Sequence, residues 1–575
     1  MVIMMGFLAL LNIGNRYLWY DEAHTALVGQ NVLEYGLPKV WNGEYLITTS
    51  NGNDFDDSLI IIKDGFVQYY LAAFGELLKQ WIHPRITFAL LGVAGSIVLY
   101  LLTKEMTNNV KISLLSMFFY CTSIPIILYI RQVRYYAPSI FFCLLILLTY
   151  ILSIKYNKKM YWSLFALSAI LLYHTLHLFF MVVMISIFLR YIIFDRSKEN
   201  FKKIIISLIV VFIFSFPFFL HNQIYLSSVG DQRSSFQGWY FFFLQIPGYI
   251  SQINAYFFPF VSLAIIYFVI GFIDKIFSYK KQAITNDGLI IRINKKIDPN
   301  LFLILTIVVV NIIIVSAFTV QYATRYLLPS VLMSIILCAY TIEKFLKKDR
   351  ILGVVLSVLL IFTNFLNIIP YVPLKNLDDK TIQNVSVIVK PPVPYFTAQG
   401  NFISIDTLTS YLNNKMQYDS YFGNYIQEIS SDYDDATEGV IKYLNENAKP
   451  GDVVQADDFL SDSIAYYTEL KVVNRLKRVG EDDDFWYTIY NKLPNVDKYL
   501  HLTYYPEELV KWQIILPNSK AEVDELHKSV DESKYEIIEV LGYPNAMFAA
   551  DIWEHSFITD ESYPNAIILR NINIP

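Results

Sequence analysis

The sequence predicts a polytopic α-helical membrane protein of about 11 transmembrane helices followed by a C-terminal extracytoplasmic α/β domain. Three observations carry that expectation. Of 575 residues 55% are apolar and only 17% charged, where a soluble chain carries about a quarter charged residues, and the mean hydropathy is +0.39. Runs such as Ile204–Phe214 and Leu301–Val315 are too apolar for a water-soluble core. Charge also divides the chain: residues 1–370 hold 29 Lys+Arg and 18 Asp+Glu, a net of +11, whereas residues 371–575 hold 17 and 33, a net of −16. A basic apolar part followed by an acidic, less apolar part reads as a membrane domain and then a soluble one.

Apolar segments long enough to cross, or nearly so, lie at 86–103, 111–130, 135–153, 159–174, 176–191, 202–220, 256–273, 300–318, 326–343 and 351–369. Basic clusters from Arg190 to Lys203, Lys275 to Lys296 and Lys344 to Arg350 mark cytoplasmic loops. Alternation from these anchors places residues 16–85, 131–134, the His174–His177 turn, 221–255 and everything after 370 outside. Residues 1–15 then cross outward from a cytoplasmic N-terminus. This first crossing is short, which implies either a start further upstream or strong mismatch with the bilayer. Phe66–Trp81 has apolar residues at 67, 70, 71, 74, 77, 78 and 81, with Gln68, Glu76, Lys79 and Gln80 opposite. That stripe predicts an amphipathic helix on the outer membrane surface rather than a further crossing.

The expected divisions are a membrane domain over 1–370 with a catalytic outer loop at 16–85, a linker and juxtamembrane segment over 371–430, and a soluble domain over 431–575. In the last, helices are expected near 436–448, 459–470, 482–492, 506–513 and 520–532. Strands are expected near 453–455, 471–476, 498–504, 535–541, 546–552 and 566–571. The alternation suggests a small doubly wound α/β domain, and it contains no Gly-rich phosphate loop. Cys121, Cys143 and Cys338 all lie in apolar segments, so neither a disulfide framework nor a zinc spacing exists. No cleavage site for a signal peptide is evident. Basic residues occupy short loops rather than one stripe, which speaks against nucleic-acid binding.

The first outer loop is the most informative stretch. Trp19-Tyr20-Asp21-Glu22-Ala23 opens a helix that runs to Gly36, just where a crossing leaves the membrane. A cap at Asp21 and a dipole partner at Glu22 would account for an ordinary helix start. The acid-rich loop and the juxtamembrane position instead suggest chemistry.

This stretch, with Tyr35-Gly36-Leu37-Pro38, resembles the first loop of the GT-C glycosyltransferases that use polyprenyl-phosphate sugars, a superfamily that includes the protein mannosyltransferases and the lipid A aminoarabinose transferases. Val67-Gln68-Tyr69-Tyr70-Leu71-Ala72-Ala73, Arg131-Gln132-Val133-Arg134-Tyr135-Tyr136 and Arg325-Tyr326-Leu327-Leu328-Pro329 resemble later elements in the same order, as does Tyr173-His174-Thr175-Leu176-His177. The resemblance covers residues 15–345 and extends to an outer C-terminal domain. It implies that Asp21 is the catalytic base, with Glu22 supporting it. An acceptor hydroxyl must lose its proton as it attacks the anomeric carbon, and a carboxylate can take it. A phosphodiester leaves without protonation but needs positive charge around it; Arg134, Arg325, His177 and Lys63 would supply this.

Each has an ordinary alternative. Arg134 and Arg325 sit at helix ends, where arginine also snorkels to headgroups. One of His174 and His177 fits an interfacial residue, and Lys63 beside Asp64 fits a solvated pair. Arg85 is ambiguous, and Asp54-Phe55-Asp56-Asp57 also matches a loop cation site. No pattern requires a cofactor, and the need for a divalent cation stays open. The His-Pro-Pro element of protein O-mannosyltransferases is replaced by Lys63-Asp64-Gly65-Phe66, and the Trp-Trp-Asp-Tyr-Gly motif of oligosaccharyltransferases is missing. The resemblance therefore implies transfer of one sugar from a polyprenyl-phosphate donor to a lipid or cell-envelope glycan, on the outer face of the plasma membrane. A transferase or ligase of larger lipid-linked glycans and a polytopic transporter are the rival readings. The transporter is disfavoured because the apolar segments are nearly free of central charge and show no repeated halves.

Overall fold

The computed structural model describes residues 1–43, 45–47, 55–56, 58–234, 246, 249, 298–318, 324–348, 350–360, 395–396, 402–403, 421–430, 435–456, 458–474, 510–517, 520–541, 555 and 566–574. Among these, six helices are long and apolar enough to cross a bilayer: Arg85–Thr107, Tyr136–Tyr156, His177–Asp195, Lys198–Leu220, Pro299–Ala317 and Thr324–Lys347. They correspond to six of the expected crossings. The expected crossing at 256–273 and the expected basic loop from 275 to 296 lie outside the described residues.

In chain order the first helices are α1 (Val2–Leu10), α2 (Tyr20–Tyr35), α3 (Val67–Leu77), α4 (Arg85–Thr107), α5 (Val110–Thr122), α6 (Ile124–Ile130), α7 (Tyr136–Tyr156), α8 (Lys159–Tyr173), α9 (His177–Arg190) and α10 (Lys198–Ser234). Then come α11 (Pro299–Phe318), α12 (Leu328–Lys348) and α13 (Arg350–Leu360). The crossing expected at 111–130 is broken: α5 and α6 meet at 67°. Ser123 at the break is extended and Pro125 opens α6. Proline has no N–H to continue the α5 ladder and disfavours helix before it. All seven α6 residues are buried, so the bend delivers the turn after Ile130 to the end of the bundle where α1 emerges. Helix α10 continues to Ser234, past the boundary expected at 220.

The α1 helix ends at Leu10, and its last carbonyls need donors. Arg131 supplies them: Nη1 donates to Leu8, Ala9 and Leu11 carbonyls at 3.3, 3.1 and 3.0 Å, and Nη2 to that of Asn12 at 3.2 Å. On α3, Gln68, Ala72, Ala73 and Glu76 are buried, whereas Tyr70, Phe74 and Leu77 are exposed, as is Trp81 beyond its end. On α3 itself the polar Gln68 and Glu76 thus pack on protein and the apolar stripe faces outward, while Lys79 and Gln80, also read as part of the polar stripe, are exposed.

The C-terminal part holds α14 (Tyr421–Ser430), α15 (Ala436–Asn447), α16 (Asp458–Tyr467) and α17 (Lys520–Ser529). Its strands are β1 (Tyr395–Phe396), β2 (Phe402–Ile403), β3 (Val453–Ala456), β4 (Lys471–Asn474), β5 (Trp512–Ile515), β6 (Tyr535–Val540) and β7 (Ala566–Asn571). Strands β3 to β7 form one sheet in the order β4-β3-β5-β7-β6. β3 is parallel to β4 and β5, but β7 is antiparallel to β5 and β6. The sheet is mixed, a correction to the doubly wound expectation. The end of the helix expected at 506–513 is also corrected, because Trp512–Ile515 alternates buried and half-buried with period two against its neighbours. The expected helix at 482–492 and strands at 498–504 and 546–552 lie outside the described residues.

This part and the outer loop share one apolar core, in which Val28, Val32, Ile47 and Tyr69 join Val440, Ile441, Ile464 and Trp512. Polar contacts fix the register. Asn12 and Asn15 donate through Nδ2 to the Ile429 and Glu428 carbonyls, both at 2.8 Å. The buried Glu428 carboxylate lies 3.6 Å from Arg16 and 2.7 Å from His555 Nε2. From α16, Ser463 donates to the Leu18 carbonyl at 2.8 Å, the Tyr467 hydroxyl accepts the Leu18 N–H at 2.9 Å, and Tyr466 donates to Glu76 at 2.6 Å.

Candidate active site

Helix α2 stops at Gly36, whose φ of +72° is left-handed and suits glycine. At its other end the N-cap is Trp19, and no side chain caps it. Asp21 therefore does not cap the helix. Its carboxylate, 16% exposed, lies 3.2 Å from Arg134 Nη2.

Arg134 comes from the turn between α6 and α7 and is nearly buried. Its Nη1 donates to Thr25 Oγ1 at 3.2 Å, its Nη2 also lies 3.9 Å from Asp64 Oδ2, and its guanidinium stands 5.4 Å from the Tyr135 ring centre. The Thr25 hydroxyl in turn donates to the Asp21 carbonyl at 2.9 Å. Arg134 thus bridges two carboxylates. Burial works against its charge, but Asp21 and Asp64 hold its pKa well above the ordinary arginine value. For Asp21, burial alone would raise the pKa. The charges of Arg134, Arg325, Lys63 and His24 outweigh that and keep the carboxyl below its ordinary range.

Asp64 reaches this place because residues 63–66 lie against the turn between α8 and α9. A Cβ on Gly65 would sit 2.1 Å from the His174 carbonyl oxygen, so only glycine allows the approach. The same carbonyl accepts the Val67 N–H at 3.0 Å. His174 is thereby the structural member of the histidine pair, its Nε2 3.1 Å from the Phe214 carbonyl. The Asp64 charge reaches His177, whose Nδ1 is buried without a hydrogen-bond partner among the described residues. Arg134 Nε is in the same condition.

Arg325 sits in a 3-10 turn, Thr324–Leu327, ahead of α12. Fully buried Asn311 on α11 pins that turn by donating to the Tyr326 carbonyl at 3.1 Å and accepting from Ser330 N and Oγ at 3.2 and 2.7 Å. Tyr129 and Thr324 hydroxyls meet at 3.0 Å across it.

Glu22 has a different surrounding. It is fully buried, its Oε1 accepts from Arg85 Nε and from the Val133 N–H, both at 2.8 Å, and its Oε2 lies 2.5 Å from Arg85 Nη2. Arg85 also donates to the carbonyls of Ile13, Arg16 and Tyr17 at 3.0, 2.8 and 3.0 Å. The Glu22–Arg85 pair ties the exit of the first helix to α4 and to the Arg134 turn. Because Glu22 follows Asp21 directly, the pair also fixes the first turn of α2.

Of the sequence-predicted residues, the structure thus groups Asp21, Arg134, Arg325, Lys63 and His177 at one end of the bundle, and it places Glu22 beneath them. Asp64 and Thr25 were not expected in the group, and the reading of Lys63–Asp64 as a solvated pair hid the first. Asp56 caps its own turn, accepting from Ser58 and Ile60 N–H groups at 2.9 Å, while Asp54 and Asp57 lie outside the described residues. Among the described residues no three His, Cys, Asp or Glu side chains group as metal ligands.

By sequence, no family model and no curated protein matches the chain. By structure, it is similar to ArnT from Cupriavidus metallidurans bound to undecaprenyl phosphate. The match covers 99% of this chain and 96% of that one at 11% identity, with a TM-score of 0.53. ArnT in the apo state aligns over the same shares at 10% identity and a TM-score of 0.49. Archaeal oligosaccharyltransferase AglB from Archaeoglobus fulgidus, in complex with an inhibitory peptide and a dolichol-phosphate, aligns at 9% identity and a TM-score of 0.48, over 89% of this chain and 68% of that one. The match to undecaprenyl-phosphate-bound ArnT spans nearly the whole of both chains: this chain has the GT-C fold.

Proposed function

We propose that the chain is an integral-membrane glycosyltransferase that moves a single sugar from a polyprenyl-phosphate donor to a lipid or cell-envelope glycan acceptor. The observation that carries this reading is the charge pattern around Asp21. Three permanent cations, Arg134, Arg325 and Lys63, stand with two carboxylates, Asp21 and Asp64, and Asp21 is held in its basic form by those cations. That set leaves one positive charge, the complement of one phosphodiester. Arg134 Nε and His177 Nδ1 are polar atoms without a hydrogen-bond partner among the described residues. Arg134, Arg325, Lys63 and His177 are therefore assigned to the donor phosphate.

In the reaction the acceptor oxygen forms a bond to the anomeric carbon while its proton passes to the Asp21 carboxylate. The bond from that carbon to the phosphate oxygen breaks, and the polyprenyl phosphate leaves with the electron pair. The cations stabilise the charge that develops on it. ArnT is similar in fold and was solved with undecaprenyl phosphate, which suits a donor of this class. The site would lie at the outer face of the plasma membrane, with the N-terminus cytoplasmic. Residues 1–370 would form the catalytic membrane unit, 371–430 the connection, and 431–575 an extracytoplasmic domain that braces the outer loop.

The test is mass spectrometry of envelope glycans from cells lacking the protein, complemented with wild type or with Asp21→Asn at matched membrane levels. A defined sugar mass restored only by wild type supports transfer and the base assignment. Restoration by both removes Asp21 from the chemistry. No glycan change with either overturns the transferase reading. A parallel assay with one-sugar and long-chain donors separates single-sugar transfer from ligation of larger glycans.

A further inference from the structure

Between α8 and α10 a groove of about 790 Å³ runs from the end of the bundle opposite Asp21 toward the His174 turn. Small side chains open it: Ser163 and Ala166 on α8 and Ser207 on α10 line its walls. Its deep end lies at Ile170 and Phe214 and its mouth at Lys159, Lys202 and Lys203. From Lys159 to Ile170 the helix rises about 17 Å at 1.5 Å per residue. One leaflet of a bilayer has a hydrocarbon depth of about 15 Å. The groove is therefore one leaflet deep, with lysines at the headgroup level.

The lysines are not equivalent. Lys203 is engaged: its Nζ donates to the Asn157 side-chain oxygen at 2.5 Å and lies 2.8 Å from Glu199. Lys159 and Lys202 are exposed, and neither makes an ion pair or side-chain hydrogen bond among the described residues. One turn inside the mouth, Trp162 lines the groove. It is 5% exposed, and its indole Nε1 has no partner among the described residues. An apolar slot one leaflet deep, two uncommitted ammonium groups and an unsatisfied indole N–H at its rim match one occupant by charge and by length.

We infer that this groove is a binding site for an anionic phospholipid of the leaflet opposite the Asp21 site, its acyl chain between α8 and α10 and its phosphate between Lys159 and Lys202. A soluble anion would not use the apolar slot, and a zwitterionic lipid would not use the second ammonium group.

The experiment is native mass spectrometry of the full chain in detergent, titrated with phosphatidylglycerol or phosphatidylcholine. One phosphatidylglycerol is expected per chain, held about tenfold more tightly than phosphatidylcholine. The doubly substituted Lys159→Gln, Lys202→Gln protein should lose that preference, and Lys159→Arg, Lys202→Arg should keep it. Ser163→Leu, an exposed position where a larger side chain fills the slot without entering the core, should weaken phosphatidylglycerol with the lysines intact. Equal binding of the two lipids, or an unchanged preference in the Gln variant, overturns the site. Binding lost in the Gln variant but unaffected by Ser163→Leu also overturns it, since the charges then act on the surface and not in the groove. Displacement of the lipid by inorganic phosphate at millimolar concentration would mean a soluble-anion site and refute the lipid assignment.

Discussion

Asp462 of α16 and His24 of α2 are separated by 438 positions in the chain, yet the Asp462 Oδ2 lies 3.2 Å from His24 Nδ1 with both side chains buried. Tyr45 donates to the other Asp462 oxygen at 2.5 Å. His24 follows Asp21 by three residues on the same helix, so the C-terminal domain grips α2 within one turn of the proposed base. Removing one partner of a buried hydrogen-bonded pair leaves the other group unsatisfied and costs about 1–3 kcal/mol. Asp462→Asn is expected to lower the thermal midpoint and to reduce kcat by at least about tenfold while the donor KM changes little, because the geometry at Asp21 shifts and the phosphate contacts do not. Asp462→Glu should recover part of kcat. A donor KM that rises with kcat unchanged would place Asp462 in donor binding instead.

Asp21 supports a prediction with a sign. Its carboxyl is held below the ordinary value of 3.8 by neighbouring cations despite burial, so the basic form is complete at neutral pH and is lost only as pH falls below that value. Turnover should therefore show no decline assignable to Asp21 between pH 7 and about pH 4. Asp21→Asn should reduce kcat by about 10³-fold with intact folding. Arg134→Gln removes the largest of the cationic influences on Asp21, so any acid-side fall in kcat should move to higher pH in that variant. Rate profiles of the purified enzyme test both statements.

The two sides of the Glu22–Arg85 pair are not equal. Glu22→Gln leaves Arg85 with its three backbone carbonyls, whereas Arg85→Met strands those carbonyls and a fully buried carboxylate together. Both changes should destabilise by several kcal/mol. Arg85→Met is expected to be the worse, measured as the drop in thermal midpoint in one detergent. The opposite order would mean that the pair, and not the capped carbonyls, carries the stability.

Where the site was legible in the sequence, the resemblance carried it. The Trp19–Ala23, Arg131–Tyr136, Tyr173–His177 and Arg325–Pro329 stretches resemble GT-C motifs in order and single out Asp21, Arg134, His177 and Arg325, which the structure brings to one end of the bundle. Helix bounds followed from apolar runs; the left-handed Asn108 and Asn157 that end two of these helices are seen only in the structure. What stayed hidden lacks a local signature. Asp64 looked like half of a solvated pair because nothing in its neighbourhood announces that Gly65 packs on the His174 carbonyl. The Asp462–His24 and Glu428–Arg16 contacts join residues more than four hundred positions apart. Trp512–Ile515 is a short apolar run whose period is decided by its sheet neighbours. The break between α5 and α6 was in principle readable from Pro125, but an unbroken apolar run concealed it.

His83 gives the sharpest pH test of the loop scaffold. It sits just ahead of α4, accepts the Arg85 N–H at Nδ1 over 3.3 Å, and is pushed down from 6.5 to about 3 by burial and by the charges of Arg85 and Arg131. Between those values the unfolded chain binds a proton that the folded chain does not. The stability from this group is therefore complete above pH 6.5 and drains away as pH falls toward 3. His174, also held below its ordinary value by burial, acts in the same direction. Carboxylates such as Glu428, held at about 2 by His555 and Arg16 against its burial, begin to act only below about pH 4.5. The thermal midpoint of the wild type should thus fall already between pH 7 and pH 5, before carboxylates held low, such as Glu428, begin to act. In His83→Asn, whose Oδ1 can take the place of Nδ1 as acceptor, the fall over that interval should shrink markedly. An identical slope in the two proteins would show that His83 is solvated in the folded state, and that the Arg85 corner of the site is open to water.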